Sequence, residues 1–267
     1  LSAGTFTGSG GAVITITKSL ALLCGGDGSA TGGVIRNADT WRSVIDGENE
    51  RRGIFVLASG PVGIDGCTII RGTATMEPNV GMGGGILSGS AVPLFTNNVI
   101  TGCVAQTGPG RRGVGGGVFV VNAPAGGTIS RNRVIENRAS LGGQGDGGGI
   151  ALGRVLGLSV QQNTILRNVG ATSEDPGYGG GLFIDECSSV TVTANEILAN
   201  AAQVVQSETA GSNGGGVGIL FSSWITLTDN LLRGNIASST ADASGGAVSM
   251  YGCNGIWLVD NLIDDNS

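Results

Sequence analysis

Short aliphatic and β-branched segments recur along this chain with residues alternating in character at a period of two. Val190-Thr191-Val192-Thr193 and Ile225-Thr226-Leu227-Thr228 show it most clearly, and such alternation predicts half-buried strands. Nothing resembles a capped amphipathic helix. Two landmarks punctuate the strands. The first is a glycine block followed by an aliphatic residue: Gly83 to Ile86, Gly115 to Val118, Gly147 to Ile150 and Gly179 to Leu182, spaced by 32 residues. Gly214 to Val217 follows after 35 residues, and Gly245 to Val248 after 31 more. The second landmark is a pair of asparagines bracketing an aliphatic residue: Asn132 with Asn137, Asn163 with Asn168, Asn195 with Asn200, Asn230 with Asn235, and Asn261 with Asn266. Earlier copies degrade, so that Asn98 pairs with Cys103 and Cys67 with Gly72.

A fixed period of this size means one supersecondary unit per repeat, each stacked on its neighbours. Every unit offers three short strands: one after the glycines, one before the first asparagine and one between the asparagines. The expected fold is therefore all-β, a parallel β-helix with three short strands per turn and about eight turns of about 32 residues. Equivalent residues of successive turns then stack at the inter-strand spacing of about 4.8 Å, for a rod of roughly 35–40 Å. Inward asparagines at the bends can bond the asparagines above and below, and Ile69, Ile100, Val134, Ile165, Ile197, Leu232 and Ile263 fall in one interior column. The chain reads as a single domain over 1–267, with irregular opening coils over 1–52 and regular coils over 53–267. A glycine-rich insertion falls at about 25–43, and long variable loops precede the glycine blocks, such as 139–145, 170–178 and 201–213.

Composition narrows the class. Glycine is 52 of 267 residues but follows no strict three-residue period, which excludes collagen. The chain is 40% hydrophobic and 13% charged, the reverse of a disordered signature. A net charge of −6 with a single lysine, Lys18, leaves no basic stripe for nucleic acid. No uninterrupted apolar run is long enough to span a membrane as a helix. The first residue is Leu1, as expected of a processed or excised chain. The five cysteines, Cys24, Cys67, Cys103, Cys187 and Cys253, suggest no disulfide framework and read as small core-facing hydrophobes. Cys187 and Cys253 share a repeat position but lie two turns apart, too far to bridge.

The Gly-Gly-x-Ile block with the asparagine half-repeat resembles the right-handed parallel β-helix repeats of the pectin-lyase-like superfamily. It is particularly similar to the repeats of polymorphic outer-membrane and autotransporter-type surface proteins. The opening stretches Leu1 to Phe6, Ile16 to Leu20 and Val44 to Gly47 also match the first coils common in such domains. The resemblance covers essentially the whole chain and implies right-handedness and an extracellular or cell-surface location. It leaves function open, because that superfamily holds lyases, hydrolases, adhesins and structural fibres.

The chemistry is sparse. Without histidine there is no serine triad and no histidine-ligated metal. Gly142-Gly143-Gln144-Gly145-Asp146 approaches a calcium nonapeptide, but the aspartate is one position early and the motif never repeats. No cofactor is expected. If the aliphatic residues after the glycine blocks point inward, Leu87, Phe119, Ala151, Phe183, Gly218 and Ser249 point outward, and Val121, Gly153, Asp185, Leu220 and Tyr251 follow two positions on. That outer stripe is apolar with one acid, Asp185, for which Arg154 is the expected surface ion-pair partner. Asp185 and Glu186 point to opposite faces, which is unlike the paired carboxylates of glycoside hydrolysis. Asp229 and Asp260 stack beside ladder asparagines and read as solvated edge charges. The stripe has three readings: loops fold over it, a sister subunit covers it, or its aromatics stack on sugar rings.

Trp224 and Trp257, in adjacent turns, could hold a glycan or anchor an interface. Neither end of the chain shows a cap. These features favour a non-enzymatic extracellular structural protein that assembles with copies of itself, through its ends or its outer face, into a surface filament, tube or layer. The expected contacts are Leu87, Phe119, Phe183, Leu220, Trp224, Tyr251 and Trp257. The alternatives are a carbohydrate-binding or polysaccharide-degrading β-helix using Asp185, Arg154 and the tryptophans, and a passenger fragment of a larger adhesin.

Overall fold

A computed structural model of the protein describes residues 1–25, 42–74, 79–205, 211–238 and 243–267. Most of the insertion at 25–43 lies outside the described residues. The architecture is a parallel β-solenoid whose strands stack coil upon coil in unbroken register. The strand that follows each glycine block, such as Val118–Val121, joins an eight-stranded first sheet. The next, such as Thr128–Ser130, joins an eight-stranded second sheet, and the one between the asparagines, such as Arg133–Ile135, a nine-stranded third sheet. The opening residues already belong to this scheme: Ala12–Ile16 pairs in parallel with Arg52–Val56, and Gly4–Phe6 with Ser43–Asp46.

The interior is one continuous cluster. Ile69, Ile100, Val134, Ile165, Ile197 and Leu232 pair in a single column and are buried. In third-sheet strands such as Val99–Thr101, Arg133–Ile135 and Thr164–Leu166 the middle residue is buried and its neighbours are more exposed, as the period-two pattern requires.

The asparagine ladders explain how the bends are held. The residue before every ladder asparagine has a left-handed backbone, from Asn97 (φ 56°) and Arg131 (φ 54°) to Asp260 (φ 52°) and Asp265 (φ 52°). Such a conformation costs an L-residue roughly 1–2 kcal/mol, so each corner needs compensation. The following asparagine supplies it by turning inward. Asn163 Nδ2 donates to Ile129 O and to Asn195 Oδ1, both at 2.9 Å, while its Oδ1 accepts from Asn132 N and Asn132 Nδ2 at 2.9 and 3.0 Å. All its bonding capacity is used although the side chain is buried. The same pattern runs through Asn98, Asn132, Asn195, Asn230 and Asn261, and through Asn137, Asn168, Asn200, Asn235 and Asn266 in the second column.

Two sequence expectations are corrected here. Cys24 and Cys67 form a disulfide. Cys67 heads the first asparagine column, where its amide donates to Asn98 Oδ1, while Cys24 directly follows the strand Leu20–Leu23, with the Cα atoms 4.9 Å apart. Ser43, not Cys24, is the register equivalent of Cys67 in the preceding coil, so the repeat count gives no sign of the pairing. Cys103, Cys187 and Cys253 are free. Burial pushes the Cys103 thiol up to about 12, so it stays protonated while its sulfur accepts from the Gly72 amide at 3.4 Å.

The second correction concerns the segments before the glycine blocks, which are not plain loops. They carry two further four-stranded sheets. The fourth is Val104–Gln106, Arg138–Ser140, Val169–Ala171 and Ala201–Gln203. The fifth is Val80–Met82, Arg112–Val114, Gly145–Asp146 and Gly177–Tyr178.

Candidate functional site

The fifth sheet lies over the outer face of the first. Val80, Met82, Val114 and Tyr178 pack on Leu87, Phe119, Ala151 and Phe183 in a second hydrophobic cluster. The outward stripe is thus an internal interface, as the folding-over reading expects. Leu87, Phe119 and Phe183 are 5%, 7% and 2% exposed, and no partner reaches them while this sheet is in place. Of the remaining expected contacts, Leu220 is half-buried and Trp224, Tyr251 and Trp257 are exposed.

Where the covering sheet ends, the first sheet opens into a furrow. Val121, Gly153, Asp185, Leu220 and Tyr251 follow one another in a single register column over five coils, a span of about 19 Å at the usual strand spacing. One part is a cleft of about 170 Å³ whose walls include Arg112, Phe119, Val121, Arg154, Asp185 and Glu186. The next is a wider hollow of about 520 Å³ bounded by Tyr178, Asn213, Leu220, Phe221, Ser249 and Tyr251. Phe183 lines the cleft and Tyr178 the hollow, with their ring centroids 6.4 Å apart.

The charges of the cleft form a layered set. Asp146 is completely buried beneath the half-exposed Arg112, whose Nε donates to its Oδ2, and Gln144 Nε2 donates to the same carboxylate at 3.2 and 3.3 Å. Burial pushes the Asp146 carboxyl above the usual range, with Arg112 opposing. Asp185 lies nearer the surface; burial and then the neighbouring Glu186 raise it, while Arg112 and Arg154 pull it down. Arg154 does not make the expected bridge to Asp185. Its Nη1 reaches Glu186 at 3.4 Å and its Nε donates to Asn122 Oδ1 at 2.8 Å. Glu186 sits at a left-handed corner (φ 52°) and lines the same cleft as Asp185, so the two adjacent acids do not point to opposite faces as expected.

Asp229 and Asp260 are likewise corner residues, remote from the furrow column. Among the described residues there is no group of three or more acidic, cysteine or histidine side chains arranged to hold a metal ion. The Asp146 carboxylate of the calcium-like motif is engaged by Arg112 and Gln144.

Sequence reasoning missed Arg112, Asp146 and Tyr178 as members of this site. A signal existed: Val114, Asp146 and Tyr178 each immediately precede a glycine block and share one column of the fifth sheet. The register of the block extends one residue towards the N-terminus, and with it comes an aspartate that a covering strand buries.

Fold and site together define a parallel β-solenoid with an elongated, charged and aromatic furrow on its first sheet. A family model described as a right-handed β-helix region matches residues 52–263, and this chain belongs to that family. Comparison with curated proteins returns no match. Among solved structures, a double mutant of the periplasmic alginate epimerase AlgG is similar, with a TM-score of 0.32 and 12% identity over 84% of this chain and 76% of that one.

Proposed function

We propose that this protein is an extracellular carbohydrate-binding β-helix that holds a glycan chain lengthwise in the furrow of its first sheet. The observation that carries the reading is the furrow itself. It presents Arg112, Arg154 and Asp185 in its cleft and Tyr178, Phe221 and Tyr251 in the adjoining hollow, beside the column that runs from Val121 to Tyr251. Charged groups fix the hydroxyls or acidic groups of a sugar, and ring faces take its apolar side.

We assign it no catalysis. Hydrolysis of a glycosidic bond calls for two carboxyl groups flanking that bond. Here Asp146 is sealed beneath Arg112, and Glu186, which lines the cleft beside Asp185, is paired with Arg154. The Cys24–Cys67 disulfide suits an oxidising compartment, which supports a location outside the cytoplasm. The self-assembling filament reading loses one of its supports, since the apolar stripe on which it leaned is occupied by the chain's own fifth sheet.

The test is affinity electrophoresis against acidic and neutral polysaccharides, with product sizing in parallel. Retardation by at least one polysaccharide is expected, weakened by the near-isosteric Asp185→Asn and by Arg154→Gln. Retardation that neither variant alters would remove the furrow from the reading. Shortened products that disappear in Asp185→Asn would show an enzyme instead.

A further inference from the structure

The corner between the first and second sheets carries two aromatic pairs built by the same device. Phe221 (φ 45°) and Trp224 (φ 58°) both adopt the left-handed backbone, a region that bulky residues rarely enter. The same corner in neighbouring coils is filled by small residues: Ser189 and Gly255 are the register equivalents of Trp224 and are also left-handed. Each ring then lies on a glycine of the following coil. A Cβ at Gly252 would stand 2.6 Å from Phe221 Cδ1, and one at Gly255 2.9 Å from Trp224 Cε3. Each ring also meets an aromatic of that coil. Phe221 touches Tyr251 edge-on at 5.6 Å, whereas Trp224 and Trp257 stack at 5.5 Å with 27° between planes.

Phe221 and Tyr251 line the wider hollow of the furrow. The tryptophans lie on the far side of the corner, and Trp224 remains 53% exposed although Trp257 stacks on it. A fold that needed only the turn would keep serine or glycine there. The tryptophan pair adds exposed apolar surface to a strained position, and strain of this kind concentrates at functional sites.

The surroundings indicate what it meets. The two outward columns of the second sheet run Thr128, Ser159, Thr191, Thr226, Trp257 and Ser130, Gln161, Thr193, Thr228, Val259. Over these five coils neither contains a charge, in contrast to the cleft of the first sheet; Asp65 stands further along the second column. The partly exposed Thr191, Thr226 and Thr228 beside two stacked indoles match neutral hexopyranosides, whose C–H faces pack on indole rings and whose edge hydroxyls bond threonine. An acidic glycan would find no cation along these columns.

We infer that Trp224 and Trp257 form a second glycan-binding platform, distinct from the furrow and selective for neutral hexopyranosides. The experiment is titration of the protein with cellohexaose, chitohexaose and, as the acidic counterpart, hexagalacturonate, read by calorimetry and by tryptophan emission. The variants Trp224→Ser and Trp257→Thr install the residues that the preceding coil carries at the same positions, so the fold is kept. Circular dichroism and an unchanged denaturation midpoint confirm that.

Neutral hexamers are expected to bind and to lose about tenfold in affinity in either variant, while any binding lost in Asp185→Asn persists in both. Absence of neutral-hexamer binding, or neutral binding unchanged in both tryptophan variants, overturns the platform without touching the furrow reading. Concentration-dependent dimerisation in sedimentation that Trp257→Thr abolishes would also overturn it, assigning the pair to a second copy of this chain.

Discussion

Replacing one ladder asparagine tests the central structural argument, that stacked side-chain amides compensate the left-handed corners. Asn163→Ala deletes four hydrogen bonds at once: two donated, to Ile129 O and Asn195 Oδ1, and two accepted, from Asn132 N and Asn132 Nδ2. At a net contribution of about 1 kcal/mol each, the direct loss is about 4 kcal/mol. Orphaning the buried Asn132 amide acts in the same direction, and the strained corner at Gln162 (φ 55°) remains. Asn163→Asp provides the companion. It keeps the acceptor but removes both donations, and it sets a buried carboxylate oxygen against Asn195 Oδ1, so its cost at neutral pH is expected to equal or exceed that of alanine. Thr191→Ala, on the exposed outer face of the second sheet, is the control and is expected to stay within about 0.5 kcal/mol. The assay is equilibrium unfolding in guanidinium, with hydrogen exchange at the Asn132 amide to register local opening, because repeat arrays can lose coils separately. A cost below about 1 kcal/mol for Asn163→Ala, with Asn132 still protected, would refute the argument.

Three further outcomes follow from the same structure. Reducing the Cys24–Cys67 disulfide, which closes a sequence separation of 43 residues, is expected to lower stability by about 4 kcal/mol in the chain-entropy account; a denaturation midpoint indifferent to reductant would contradict it. Gly117→Ala is expected to cost about 2–3 kcal/mol, because its Cβ would stand 2.7 Å from Gly149 O and 3.0 Å from Val134 Cγ1. Gly102→Ala, left-handed at φ 64° but facing open space, is expected to cost only about 1 kcal/mol, and the opposite ranking in thermal unfolding would be decisive against packing as the cause. The hydrogen bond from Arg71 holds the Asp46 carboxyl below its ordinary 3.8. Its stabilisation is therefore complete above that value and lost as pH falls through the folded-state value. The stability difference between wild type and Asp46→Asn is expected to be level at neutral pH and to shrink in acid, and a difference that grows in acid would reverse the sign.

Particular residues show where the sequence is sufficient. A parallel in-register stack forces equivalent positions into columns, so a repeated residue type announces its own environment. Asn163 could be placed at a buried bend, and Ile165 in the core, from spacing alone. That logic fails wherever a feature occurs once or the coil length varies. Cys24 falls outside the Cys67 column, whose preceding member is Ser43, so no repeat spacing announces the disulfide. Asp146 and Arg112 occur once each, and their burial depends on the fifth sheet lying back over the first.

The sequence by itself determined the coil, its strands and which side chains face inward, because a 4.8 Å stack repeats its constraints at every turn. Tertiary structure alone decided how the non-periodic segments close over that frame. Their path depends on packing Val80, Met82, Val114 and Tyr178 against Leu87, Phe119 and Phe183, contacts that the repeat pattern does not encode. That packing converted an apparent outer apolar stripe into an interior and left the furrow as the accessible surface.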